Sequence, residues 1–154
     1  TEIDDYAFSD CSALVEVSIP SSVDEIGSCA FNYCTALSSI VIPDSVTEIE
    51  EGAFAECRAL TTVVLPNSLT EISDYLFSCC ASLSSILIPD SVTEIETGAF
   101  QRCTSLLSVL LPASVTEIGV GAFDKCPNLT LTVFRNSYAE RYAQRNHIPY
   151  AYAD

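Results

Sequence analysis

Hydrophobic and polar positions recur along this chain with a single period. Val23-Asp24-Glu25-Ile26 returns as Val46-Thr47-Glu48-Ile49, Leu69-Thr70-Glu71-Ile72, Val92-Thr93-Glu94-Ile95 and Val115-Thr116-Glu117-Ile118, each 23 residues after the one before. Thr1-Glu2-Ile3 is the same segment without its first residue. Three further columns keep this register: Phe8, Phe31, Phe54, Phe77, Phe100 and Phe123; Cys11, Cys34, Cys57, Cys80, Cys103 and Cys126; Pro20, Pro43, Pro66, Pro89 and Pro112. A unit this short, with a proline in nearly every copy, cannot hold a helix pair and a return loop, which excludes helical repeats of about 34 residues.

Within one unit the apolar pattern predicts a coil of short strands. Leu60 to Leu65 ends in β-branched and apolar residues, and Pro66-Asn67-Ser68 supplies a turn. Proline has no N–H for a ladder, so it closes the strand. Leu69 and Ile72 point inward on a second side. Ala53, Phe54 and Cys57, at i, i+1 and i+4, predict a single helical or 3₁₀ turn, entered through Gly52 here and through Gly98 and Gly121 in later copies. Stacked coils place like residues over like at about 4.8 Å. One coil cannot bury its own apolar residues, so its neighbours must. The predicted core is therefore the inward columns Leu37/Leu60/Leu83/Leu106, Ile40/Val63/Ile86/Val109 and Ile42/Leu65/Ile88/Leu111, with the Phe and Cys ladders.

These columns resemble the BspA-like leucine-rich repeats, whose pattern is Leu-x-x-Ile-x-Ile-Pro-x-x-Val-x-x-Ile-x-x-x-Ala-Phe-x-x-Cys. Leu83 to Cys103 matches every defined position, and the resemblance covers about residues 1–137. It implies a curved leucine-rich-repeat solenoid, mainly β, with a parallel sheet on the concave side. It also implies a secreted or cell-surface setting, a role in adhesion or partner binding, and no catalytic residues.

The expected organisation is a solenoid of about six coils over residues 1–137 and a C-terminal capping segment over 138–154. The chain begins inside a repeat and not at a methionine. Thr1 is read as a processing or cloning boundary, the first coil as truncated, and further coils are expected upstream. At the other end, Ser137 followed by Glu140 is a capping-box pattern, Tyr138, Ala139, Tyr142 and Ala143 suit a short helix, and Pro149 limits it. The last coil departs from pattern: Thr132 and Phe134 stand where the coil before has Val109 and Leu111, and Arg135 replaces proline.

Charge narrows the functions. Residues 1–124 carry 19 acids and 2 bases; residues 125–154 carry 2 acids and 4 bases, for a net charge of −15. Such acidity repels phosphate backbones and anionic lipid heads, so nucleic-acid and membrane-surface binding are not expected. The longest uncharged run, Ile26 to Pro43, is interrupted by polar residues and is no membrane span.

Candidate chemistry is sparse. Six of the eight cysteines share one column, where coil spacing exceeds the roughly 3.5–4.5 Å between Cβ atoms that a disulfide needs; they read as a buried thiol ladder of small hydrophobes. Cys29 and Cys79 stand outside it as free or surface thiols. No Cys-x-x-Cys pair suggests zinc. The single histidine, His147, could meet only Cys126 nearby in sequence, so no enzyme and no cofactor are expected. Asn128-Leu129-Thr130 is a glycosylation sequon. Glu2, Glu25, Glu48, Glu71, Glu94 and Glu117 form a column of like charges; a solvated edge is the preferred reading over cation binding, so no metal is assigned.

The strand face carries the candidate binding site. One outward column reads Ser18, Val41, Val64, Leu87, Leu110 and Val133, and beside it runs Glu16, Ser39, Thr62, Ser85 and Ser108. A solvated sheet face normally alternates with an apolar one, so outward apolar neighbours are unusual. Val41, Val64, Leu87 and Leu110, flanked by the hydroxyls of Ser39, Thr62, Ser85 and Ser108, are the expected binding stripe. The expected function is recognition of a protein or glycan on a host or neighbouring cell, with self-association as a further possibility. The alternatives are a passive spacer in a larger surface protein and, distantly, a hydrolase.

Overall fold

A computed structural model describes residues 1–153; Asp154, the last residue of the expected capping segment, lies outside the described residues. The elements in chain order are β1 (Glu2–Ile3), β2 (Glu25–Ile26), β3 (Ser39–Val41), β4 (Glu48–Ile49), β5 (Thr62–Val64), β6 (Glu71–Ile72), β7 (Ser85–Leu87), β8 (Glu94–Ile95), β9 (Ser108–Leu110), β10 (Glu117–Ile118), β11 (Thr130–Val133), α1 (Tyr138–Arg145) and β12 (Tyr150–Tyr152). Every strand pair is parallel, and like positions of successive coils face each other, as Glu25 with Glu48 and Ser39 with Thr62. The result is a parallel β-solenoid of about seven turns, β12 supplying the strand of the last.

Each coil has three sides because its sequence turns at fixed places. Pro43, Pro66, Pro89 and Pro112 end the first strand, and their carbonyls accept from the N–H three residues on (Pro43 from Val46 at 3.0 Å), which swings the chain to the Glu-Ile strand. The core between the sides is one apolar cluster. Phe31, Phe54, Phe77 and Phe100 are fully buried, and the six rings from Phe8 to Phe123 stack with centroids 5.1–5.9 Å apart.

The third side is not the helical turn expected over Ala53–Cys57. Gly52 and Glu56 both have positive φ (62° each), as do Cys29 and Tyr33, Tyr75 and Cys79, Gly98 and Arg102, and Gly121 and Lys125. A left-handed residue every fourth position breaks a right-handed helix. It also divides the N–H groups into two sets. Ala30, Asn32 and Cys34 donate within their coil to Gly27, Cys29 and Phe31 (3.1–3.2 Å), while Cys29, Phe31 and Tyr33 donate to Glu51, Ala53 and Ala55 of the next (2.8–3.0 Å). A helix would spend all its N–H groups internally; this arrangement gives the third side its own inter-coil ladder.

That ladder is continuous where the sheets are not. No sheet joins β4 to β6 or β5 to β7, so both sides open at the junction of the third and fourth coils. The Phe54–Phe77 step there is the widest of the stack at 5.9 Å. Ser73 accounts for part of the gap. Glu50 and Glu96 donate through N–H to Ile26 and Ile72 of the preceding coils, whereas the buried Ser73 reaches Ile49 O through its hydroxyl.

The register of the last coil corrects the expectation for Val133. β11 pairs Thr130 with Ser108, Leu131 with Val109 and Thr132 with Leu110, a step of 22 residues. A one-residue shift sends alternate side chains to the opposite face. Thr132 therefore continues the outward column, and Val133 is fully buried. The cap forms largely as expected: the Ser137 hydroxyl accepts from Glu140 N–H (3.0 Å), and α1 buries Ala139 and Ala143. The Glu140 carboxylate returns to Asn136 N–H (2.6 Å), one residue before the usual capping-box partner. At the N-terminal end Phe8 is 39% exposed.

Candidate functional site

The strand face is positioned by β3, β5, β7 and β9, each with the burial order exposed, buried, exposed. Ile40, Val63, Ile86 and Val109 point into the core, which turns both flanking residues outward. Val41, Val64, Leu87 and Leu110 are 62%, 48%, 71% and 38% exposed. Pairing sets Val41 beside Val64 and Leu87 beside Leu110, with Ser39 beside Thr62 and Ser85 beside Ser108. The expected stripe thus exists with its hydroxyl margin, although β5 and β7 meet without a ladder at its middle. Thr132 ends it on one side, and Ser18 continues the column on the other.

The far margin is polar too. Asp44 lies three residues beyond Val41, and its carboxylate accepts from the Asn67 backbone N–H at 2.7 Å and its amide nitrogen at 3.3 Å. A cleft of about 510 Å³ opens at the N-terminal end of the stripe, lined by Glu16, Ser18, Ser39, Val41 and Pro43 among others. Sequence reasoning missed Leu107, 55% exposed beside Ser108. Its partner Leu106 occupies the inward column, so the pair already implied that one leucine faces water.

The other candidates settle differently. The eight thiols are free. Burial pushes Cys34 and Cys126 up to about 11 and Cys57 up to about 12. The Cys126 thiol points at Phe100 O (3.1 Å), and His147, exposed beyond α1, does not line the crevice at Cys126. The glutamate column pairs as expected, Glu2 with Glu25 and Glu48, and Glu71 with Glu94 and Glu117. Within it, Glu25 is raised, first by desolvation and then by Glu2 and Glu48. Glu96, outside the column, is raised by desolvation and then by Asp74, Glu71 and Glu94. Glu71, Glu94 and Glu96 bring carboxylate oxygens within 4.8 Å of one another, a smaller donor set than the six to eight oxygens calcium takes. Among the described residues no helix is long and apolar enough to cross a membrane.

Comparison with known proteins places this geometry. The family described as BspA type Leucine rich repeat region matches residues 1–130 in six copies. A leucine-rich repeat protein of Treponema pallidum is 37% identical, with a TM-score of 0.84 over 98% of this chain and 78% of its own. A leucine-rich cell surface protein of Faecalibacterium prausnitzii A2-165 is 38% identical, with a TM-score of 0.75 over 81% of this chain and 33% of its own. A leucine-rich repeat protein of Bacteroides ovatus is 28% identical, with a TM-score of 0.73 over 99% of this chain and 43% of its own. The chain thus spans a third of the F. prausnitzii protein and less than half of the B. ovatus protein. A search among curated proteins found no match.

Proposed function

The chain belongs to the BspA-type leucine-rich repeat family, and from that premise we propose that it is a non-enzymatic recognition scaffold of a secreted or cell-surface protein. It binds a protein or glycan on a host or neighbouring cell through the strand face. The observation that carries this reading is the exposure of Val41, Val64, Leu87 and Leu110 in one column, where a solvated sheet face would hold polar residues. An apolar centre with a hydrogen-bonding margin is how interfaces are built. Four side chains fall short of the ~800 Å² per partner of a standard interface, so the flanking hydroxyls and the cleft at Val41 belong to the surface used. The F. prausnitzii relative, described as a cell surface protein, supports the location.

The test is retention of purified chain on arrayed glycans and host extracellular proteins, with the L87D/L110D double variant alongside. The reading expects a partner that retains the parent chain and loses the variant. Equal retention of both would remove the stripe as the site. Failure of the parent chain to bind anything would favour the spacer.

A further inference from the structure

The inter-coil hydrogen bonds of the third side stop at the last coil, and what they leave behind is a set of donors. One coil earlier, the N–H groups of Gly98, Phe100 and Arg102 donate to Val120, Ala122 and Asp124 at 3.1, 2.8 and 2.8 Å. Gly121 and Lys125 repeat the positive φ of Gly98 and Arg102 (65° and 60°), and Ala122 and Asp124 repeat the in-coil bonds, to Gly119 and Gly121. The N–H groups of Gly121, Phe123 and Lys125 therefore keep the same direction, toward α1 in place of a further coil.

Tyr142 of α1 covers the middle donor. Its ring meets Phe123 edge-on at 6.3 Å, and its oxygen faces the Phe123 N–H. The Gly121 and Lys125 N–H groups have no acceptor among the described residues. With Tyr142 at the centre, an extended chain cannot run across the row, so strand addition is blocked and only compact acceptors fit on either side.

The two sides differ in charge. The crevice beside Lys125, about 310 Å³, also contains the Asp124 carboxylate. The crevice beside Gly121, about 240 Å³, is lined by Tyr138, Arg141, Tyr142, Arg145 and Asn146 and has no acidic residue in its wall. We propose that this second crevice is a binding site for an oxyanion, the carboxylate or phosphate group of a small ligand, held by the Gly121 N–H, Arg141 and Arg145.

Each contributor is free to act. Arg145 is exposed and makes no hydrogen bond or ion pair within the chain. Arg141 spends one N–H on Asn136 O (3.1 Å) and stands 5.8 Å from the Tyr138 ring, which leaves most of its five donors. Glu140, the one acid of α1, is occupied by Asn136 N–H and the Tyr152 hydroxyl (2.6 Å each). Two guanidinium groups outweigh the roughly half negative charge of the α1 C-terminus. The acidic coils act weakly at this distance, because exposed charges are screened beyond about 8 Å at physiological salt. Guanidinium forks suit both carboxylate and phosphate, and the crevice holds on the order of eight waters' share of liquid volume, enough for the anion and part of its carrier.

The test is an amide-resolved NMR titration of the whole chain with sodium phosphate and, separately, sodium acetate, each at ionic strength held constant with sodium chloride. The proposal expects a saturable shift of the Gly121 amide with at least one anion; the better of the two identifies the group. Arg145→Gln should weaken that binding at least tenfold at an unchanged melting temperature, since Arg145 supports no contact of the fold. R141Q/R145Q should abolish it. A Gly121 amide that moves without saturating for both anions, or saturates identically in Arg145→Gln, overturns the proposal.

Discussion

The thiol of Cys57 donates to the carbonyl oxygen of Phe31, one coil back, across 3.2 Å. The same bond joins Cys34 to Phe8, Cys80 to Phe54, Cys103 to Phe77 and Cys126 to Phe100 at 3.1–3.3 Å. The Phe31 carbonyl also accepts from Cys34 N–H at 3.2 Å, so the thiol takes its second lone pair. The cysteine column is thus more than a row of small hydrophobes: each sulfur stitches its coil to the one before.

Removing a stitch should cost what a weak buried hydrogen bond and a sulfur-sized void cost together. Cys80→Ala is expected to lose about 1–2 kcal/mol in urea unfolding. Cys11→Ala, exposed and with no earlier phenylalanine to reach, should stay within about 0.5 kcal/mol. Equal losses at both positions would show that the bond contributes nothing.

Burial holds the ladder thiols in the protonated form, which does not attack alkylating agents. Iodoacetamide at mild alkaline pH should label Cys11, Cys29 and Cys79 in the native protein and reach Cys34, Cys57, Cys80 and Cys103 only in denaturant. Reductant should leave the melting temperature unchanged. Peptide mass mapping before and after unfolding reads the first result directly.

Two opposed carboxylate effects set the pH dependence. Glu25 and Glu96 are raised in the folded chain, so their contribution is full below the ordinary glutamate range and is lost as pH rises through the folded values. Glu140 and Asp24 are lowered, the first mainly by the Tyr152 hydroxyl and Asn136 N–H, the second by the N-terminal ammonium. Their contribution is present above the ordinary carboxylate range and is lost as pH falls through the folded values. Thermal stability should therefore peak in the acid range and decline toward neutrality, more steeply at low salt. Glu140→Gln should flatten the acid limb and leave the neutral one. Stability that climbs steadily to pH 7 would show that the raised pair does not lead.

How far these sites were legible in the sequence depended on what the 23-residue period could carry. The coils, the inward columns and the stripe from Val41 to Leu110 follow from alternation repeated in register, where each copy checks the next. The third side did not: Ala53, Phe54 and Cys57 have helical spacing, and the left-handed residues every fourth position are mostly not glycine, so composition hid them. The slip at Thr130 was invisible for a related reason. Leu129, Leu131 and Val133 alternate as well as Thr130 and Thr132 do, and only the partner strand decides which set faces inward. The unpaired donors of Gly121 and Lys125 follow from the lack of a further coil, which no single residue encodes.

That register is open to test. Val133→Asp would bury an unpaired charge and should cost several kcal/mol or prevent folding, whereas Thr132→Asp, one residue earlier, should cost less than about 1 kcal/mol. Leu87→Asp and Leu110→Asp should likewise leave the fold intact. A tolerant Val133 with a sensitive Thr132 would restore the unshifted register.

A Cβ on Gly98 would overlap the ring of Tyr75 from the preceding coil, whereas one on Gly121 meets nothing closer than 3.6 Å. Both have positive φ. Gly121→Ala should therefore show the backbone penalty alone, about 1–2 kcal/mol, and Gly98→Ala should exceed it by about 1 kcal/mol or more. Tyr75→Ala should recover the excess in a double-mutant cycle; additive losses would place the ring elsewhere.

The 22-residue step into β11 also bears on how such a chain can lengthen or shorten over evolutionary time. Duplicating or deleting 23 residues among the first five coils returns every side chain to its own column, so copy number there can drift without redesign. The step at Thr130 breaks that freedom. A further copy placed after it would meet its neighbour one residue out of phase, with apolar side chains turned to water on the strand face. The missing residue acts as a terminator for the array, and copy number is free to change only on its N-terminal side.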